Sequence, residues 1–150
     1  MKLEIVAVTP EHEADWRRLY RGYMAFYKRP EDESVLDRLW GWLHDPTHEM
    51  EGLVAVLDGR VVGLAHVRRM PSPIRAADVG FLDDLFIDPD ARGTRVGEAI
   101  LERLRDVATE RGWPFIRWIT ADDNYRARTL YDRVAKKTAW NLYEMSAGAV

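Results

Sequence analysis

Residues 82–98 (LDDLFIDPDARGTRVGE) concentrate the chemistry of this chain. Two adjacent carboxylates, Asp83 and Asp84, precede a turn rich in arginine and glycine, Arg92-Gly93-Thr94-Arg95-Val96-Gly97-Glu98. The apolar run 79–87 predicts a strand stopped by Asp88-Pro89, and a helix is predicted from 93 to 111, so the glycines fall at a strand-to-helix turn. Such a turn leaves main-chain N–H groups without acceptors at the positive end of a helix dipole, which suits a phosphate or pyrophosphate. A plain connecting loop is the alternative. The P-loop pattern GxxxxGK[ST] and the dinucleotide pattern GxGxxG are not what stands here. In a regular strand Asp83 and Asp84 point to opposite faces unless a bulge intervenes, so only one is expected to see a cleft. A carboxylate there could take a proton from an amine or attract a cation.

Other reactive groups narrow the field. The chain has no cysteine, which removes disulfides, thiolate nucleophiles and Cys-ligated zinc. Ser34, Ser72 and Ser146 lie in no nucleophile-elbow motif. His44 and His48 are four apart, but Pro46 interrupts the helix that would align them, and no metal site is expected. His66 reads as a packed or exposed histidine, with a place beside the cleft as the alternative. Arg68, Arg69 and Arg75 around a proline-containing loop read as a solvated rim, or as contacts for an acidic acceptor.

The elements that must position these groups follow from periodicity. Residues 3–8 read as a strand, and Thr9-Pro10 as the cap and first position of a helix whose face carries Trp16, Leu19, Tyr20, Tyr23, Met24 and Tyr27. A second helix is expected around 31–44. Strands at 53–57 and 61–67 flank Asp58-Gly59-Arg60, a strong hairpin signal, and 71–77 reads as a loop before the strand at 79–87. After the helix ending at Gly112 come a strand at 115–120, a helix at 123–134 and a last strand near 138–145. Hairpins followed by crossovers require a mixed sheet covered by helices, an α/β (α+β) domain of order β-α-α-β-β-β-α-β-α-β.

The turn Arg92-Gly93-Thr94-Arg95-Val96-Gly97 resembles motif A of the GNAT superfamily of N-acetyltransferases, [Q/R]-x-x-G-x-[G/A], and the preceding Asp84-Leu-Phe-Ile-Asp-Pro89 looks especially like its polyamine and histone acetyltransferase-like members. Arg95 stands where the pattern has its first glycine. Downstream, Asn124-Tyr-Arg-Ala127-Arg-Thr-Leu-Tyr131 resembles the N-x-x-A-x-x-x-Y pattern of the next helix in that family. The resemblance implies a single GNAT-like domain over residues 1–150 with acetyl-CoA as cosubstrate. Its pyrophosphate would lie against Arg92, Gly93, Thr94, Arg95, Val96, Gly97 and Glu98, and its pantetheine arm along the backbone of Leu85, Phe86 and Ile87. Asn124 and Ala127 would be further cofactor contacts, although Asn124 reads equally as a helix cap. Tyr131 would be the general acid, and Asp83 or Asp84 the base or acceptor ligand. A phenol has a reference pKa of about 10, close enough to a thiol for Tyr131 to protonate a departing thiolate.

Composition agrees with this reading and excludes others. With 150 residues, 47% hydrophobic and 11% aromatic, the chain can build one core and is not disordered. Lys plus Arg number 22 against 25 Asp plus Glu, for a net charge of −3, which speaks against a nucleic-acid partner. The apolar run Ile5–Val8 is too short for a membrane span or a signal core, so a cytoplasmic protein without membrane attachment is expected. The acceptor is expected to be a primary amine (polyamine, small amine or protein lysine) attacked directly in a ternary complex, since no cysteine exists to carry an acyl group. A homodimer is compatible with the sequence. The rival reading is a catalytically silent GNAT-like module that binds CoA or a metabolite.

Overall fold

The computed structural model describes residues 2–148. By contact density the chain divides into two compact units, the first ending at Ile119 and the second beginning at Thr120. The first holds β1 (Leu3–Ala7), α1 (Glu13–Phe26), α2 (Glu33–Leu43), β2 (Met50–Leu57), β3 (Arg60–Ser72), β4 (Ala77–Ile87), α3 (Val96–Arg111) and β5 (Ile116–Arg117), with single 3-10 turns at Pro10–His12 and Pro89–Ala91. The second holds α4 (Tyr125–Val134). The five strands form one sheet in sequence order, antiparallel from β1 to β4 and parallel between β4 and β5, as a crossover through α3 requires.

Helices cover both faces of this sheet. Trp16, Leu19 and Met24 of α1 and Leu36 and Leu39 of α2 pack with Val8, Val54, Val61 and Leu64 in one core cluster. The adjacent Gly63 points the opposite way. A Cβ there would meet Ile87 Cδ1 at 3.1 Å and Ile100 Cδ1 of α3 at 3.3 Å. Coverage on both sides explains why Val61–Val67 is buried without interruption.

Several boundaries differ from the sequence expectation. The expected loop 71–77 is a hairpin: β3 runs to Ser72, β4 starts at Ala77, and the turn spans 73–76. Pro71 is tolerated within β3 because β2 pairs no further than Arg68, so the missing N–H interrupts no ladder on that side. The expected strand at 115–120 shrinks to two residues. The strand expected near 138–145 does not form, and no strand follows Arg117 among the described residues. Trp140, Leu142, Tyr143 and Met145 are all exposed there, so they cover no apolar face, and without a pairing partner an extended segment is not a strand. The observed order is therefore β-α-α-β-β-β-α-β-α.

Candidate active site

Strand β4 is paired with β3 from Ala77 to Ile87, but with β5 only at Gly80 and Phe81. Beyond Phe81 its outer edge has no strand beside it among the described residues. Leu85, Phe86 and Ile87 thus combine half-buried side chains with main-chain groups on an unpaired edge. Gly80 sets the start of this divergence. A Cβ on it would lie 2.7 Å from the Trp113 ring and 2.8 Å from Ile116 Cγ1, so only glycine lets β5 close on β4 at that point.

The strand then enters the arginine-rich turn. Asp88, 5% exposed, anchors it: Oδ1 accepts from the Asp90 N–H at 3.1 Å, and Oδ2 accepts from Arg18 Nη1 at 3.0 Å and Arg60 Nη2 at 3.4 Å. Burial alone would raise its pKa, but the Asp90 amide and the Arg18 guanidinium hold the carboxyl below the usual range. Thr94 donates its hydroxyl to the Ala91 carbonyl, closing the turn. Gly93 (φ 84) and Arg95 (φ 62, ψ 21) both lie in the left-handed region. That explains on physical grounds why a glycine would be at home at position 95. No side chain caps α3 at Arg95, and its first-turn N–H groups lack intrahelical acceptors by geometry. Arg92 also borders a cavity of about 260 Å3, shared with Arg18, Gly22 and Phe86.

Asp83 and Asp84 are placed by a β-bulge. Leu82 pairs with Val67 and Asp84 with His66, which leaves Asp83 as the extra residue. The bulge is the exception under which strict alternation no longer sends the two acids to opposite faces. Asp83 Oδ2 accepts from Arg68 Nε at 2.8 Å, and Asp84 Oδ2 lies 2.7 Å from His66 Nδ1. Residues 66 and 68 are two apart on β3, so both carboxylates engage the face covered by α1.

There a buried network forms. Trp16 Nε1–H donates to Nε2 of the fully buried His66 at 3.0 Å. Indole nitrogen is only a donor, so Nε2 is the acceptor and the ring proton sits on Nδ1, donated to Asp84. The Tyr20 hydroxyl donates to Asp84 Oδ2 at 3.1 Å, and the nearby Tyr23 hydroxyl adds to the stabilisation of this carboxylate. Burial pushes the Asp84 pKa up, but the donors from His66, Tyr23 and Tyr20 outweigh it and hold the group below the usual carboxylate range. Burial and the Asp84 charge push the Tyr20 and Tyr23 hydroxyls upward, so both remain donors. The rings of Trp16, Tyr20 and Tyr23 along α1 and of Tyr27 at its C-cap follow one another at centroid spacings of 5.5, 5.3 and 4.9 Å.

Sequence reading placed His66 only loosely and gave Trp16, Tyr20 and Tyr23 no role beyond an apolar helical face. The signal was the spacing 16, 20, 23, but the partner acid was hidden by the bulge. Arg68 is less a free rim than expected, paired with Asp83 and lying over the Phe81 ring at 4.8 Å.

In the second unit, Asn124 Oδ1 accepts from the Ala127 N–H at 3.3 Å, so its carboxamide oxygen caps α4. Ala127 and Tyr131, four apart on α4, share a helix face, and both are partly buried.

The chain as a whole is similar to known proteins in sequence and fold. The chain is 30% identical over 145 residues to the D-amino-acid N-acetyltransferase HPA3 of Saccharomyces cerevisiae, an alignment covering 95% of this chain and 90% of that one. Its fold matches the ribosomal-protein-alanine N-acetyltransferase of Brucella melitensis biovar Abortus 2308 with a TM-score of 0.83 at 23% identity, over 97% of this chain and 99% of the other. The aminoglycoside N-acetyltransferase AAC(6')-Iy, solved in complex with CoA, matches with a TM-score of 0.80 at 16% identity, over 98% and 96%. The Acetyltransferase (GNAT) family model matches residues 16–135, spanning the open edge of β4, the left-handed turn into α3 and the helix of Tyr131. The chain belongs to the GNAT family and is an N-acetyltransferase.

Proposed function

We propose that this protein transfers the acetyl group of acetyl-CoA to a primary amine by direct attack within a ternary complex, and that residues 1–150 act as one catalytic domain. The observation that carries this reading is the continuity of an unpaired strand edge with an uncapped helix start. Residues 85–87 offer main-chain groups to an amide-bearing arm, and four residues after the anchoring Asp88 begins a turn whose N–H groups suit a pyrophosphate. Arg92, Gly93, Thr94, Arg95, Val96, Gly97 and Glu98 are assigned to the pyrophosphate, and Asn124 and Ala127 to further contacts with the same cosubstrate. Acetyl-CoA supplies an activated thioester carbonyl.

In the reaction the amine nitrogen bonds to that carbonyl carbon, the C–S bond breaks, and the electron pair leaves with sulfur. Two proton movements complete the balance. The attacking nitrogen loses a proton, which we assign to Asp83, the more exposed acid with a side chain 26% accessible. The thiolate gains one, which we assign to the Tyr131 hydroxyl. Asp84, held anionic by its donors, supplies negative potential that favours a cationic acceptor. The HPA3 relative acts on D-amino acids by its name, which supports a small amine acceptor for this chain as well.

The test is release of free CoA thiol from acetyl-CoA on addition of amines, together with the thermal shift caused by CoA alone. Thiol release that depends on both substrates is expected. A CoA-induced shift without turnover on any amine would favour the silent binding module.

A further inference from the structure

Helix α1 ends with Lys28 in the left-handed region, and the Arg29 N–H then donates to the Met24 carbonyl at 2.8 Å. The chain thus turns sharply and, before α2 begins, encloses a cavity of about 380 Å3 lined by Tyr20, Tyr23, Met24, Tyr27, Arg29, Pro30, Asp32 and Val35. The wall is aromatic and apolar, with one cation at one side. Arg29 takes part in none of the ion pairs among the described residues. Asp32 borders the same cavity, but its Oδ1 is engaged as the N-cap of α2, accepting from the Ser34 N–H at 3.0 Å and the Ser34 hydroxyl at 2.6 Å. Tyr20 carries its hydroxyl to the half-buried Asp84 and Tyr23 stands near the same carboxylate, so a fixed negative charge stands one side chain behind the wall. Its field reaches Tyr27 too, whose hydroxyl is pushed upward by burial and then by that charge. Asp84 is followed directly in β4 by Leu85–Ile87, the residues with the open edge.

We propose that this cavity is the acceptor subsite and that it takes a zwitterionic amino acid with an apolar side chain. The carboxylate pairs with Arg29, the ammonium lies toward Tyr20, Tyr23 and the charge of Asp84, and the side chain rests on the aromatic wall. The inference rests on the N-acetyltransferase reading and adds to it the substrate class and the group that selects it. Cation–π attraction to the tyrosine faces and the fixed anion both favour the ammonium end. A guanidinium matches a carboxylate by paired charge-assisted hydrogen bonds. A polyamine offers no carboxylate, and its second cation would meet Arg29.

The experiment compares the D and L forms of methionine, the corresponding methioninamides and putrescine on the full chain. Binding to the CoA-loaded protein is measured by calorimetry and turnover by thiol release. One enantiomer of the acid should bind and react better than its amide, and putrescine should be the poorest. Arg29→Gln should raise the dissociation constant and KM of the acid roughly 10- to 100-fold, the range of a charge-assisted pair, and change those of the amide less than about threefold. Arg29→Lys should restore part of the loss. The thermal shift by CoA should be unchanged in both variants, which reports that the fold and the cofactor site survive. Equal losses for acid and amide, no loss for either, or preference for putrescine would overturn the proposal. If no amine releases thiol, the acetyltransferase reading fails instead, while the calorimetric comparison of acid with amide still decides the inference.

Discussion

Strand β4 presents two kinds of chemical group. Along its outer edge and into the turn before α3, the offered groups belong to the main chain: an unpaired edge after Phe81, left-handed residues at Gly93 and Arg95, and an uncapped helix start. On the face under α1, the offered groups are side chains fixed by one another, with Trp16, His66, Tyr20 and Tyr23 converging on Asp84. Main-chain recognition tolerates many side chains but depends on conformation and space. The network tolerates almost none, because each member satisfies a buried polar atom of another. The first region suits a cosubstrate with an invariant polyphosphate and amide arm, and the second suits selection among amines.

If this division is right, the largest kinetic effect should come from a residue that belongs to neither binding region. Tyr131→Phe removes a hydroxyl and keeps the ring. Turnover should fall by about 10² to 10⁴-fold, the usual range for a general acid, with CoA affinity and melting temperature nearly unchanged. The loss should shrink for an acyl donor with a more acidic thiol. Unchanged turnover when chemistry is rate-limiting would remove Tyr131 from the mechanism.

Stability should separate the two regions next. His66→Leu leaves the Trp16 N–H and the Asp84 carboxylate without their partner inside the core, and should cost about 3–5 kcal/mol in urea unfolding, as for a broken buried pair. Gly97→Val, at the first turn of α3, should instead weaken CoA binding by roughly tenfold or more through lost backbone approach, with little change in unfolding. The reverse pattern would mean that the network is incidental and the turn is structural.

Asp84 also predicts a pH dependence. Its folded pKa is depressed, so the stability it contributes is present above the unfolded carboxyl value of about 3.9 and is lost as pH falls through the lower folded value. Acid unfolding of wild type should therefore steepen below about pH 4. In Asp84→Asn that part of the slope should vanish. Asp88, depressed in the same sense, should leave its own share in place. An unaltered acid limb in the variant would mean that Asp84 does not titrate between the folded and unfolded states.

The two regions also differ in how far they could be read in advance. The turn was legible because its determinants are local: Asp88-Pro89 stops a strand, and Gly93, Gly97 and the arginines stand within a few residues of one another. Asn124 was legible as both ligand and cap, and its oxygen is a cap. The network was not legible, because its geometry is set by a bulge between His66 and Val67 opposite Asp83, and alternation along one strand cannot reveal an inserted residue. The hairpin through Pro71 was missed for a related reason, since whether a proline breaks a strand depends on whether its other edge has a neighbour. The apolar residues at 140–145 misled in the other direction: an apolar segment becomes a strand only if a partner is present.

The smallest effect concerns Arg95, where conformation and side chain can be separated. Its left-handed backbone costs an ordinary residue roughly 1–2 kcal/mol, which glycine avoids at the expense of a more flexible unfolded chain. Arg95→Gly should therefore stabilise the protein by no more than about 1 kcal/mol, seen as a small rise in the urea midpoint with an unchanged slope. Arg95→Ala keeps the strain and should not stabilise. Both variants remove the guanidinium, so if Arg95 contacts a phosphate, both should lose CoA affinity equally, more at low than at high salt, and lose less for a fragment lacking the contacted phosphate. Affinity retained in Arg95→Gly but lost in Arg95→Ala would mean that the turn's main chain does the binding and that the arginine merely occupies a glycine's place. Equal retention in both would place the side chain in solvent, leaving the anion to the N–H groups of α3 alone.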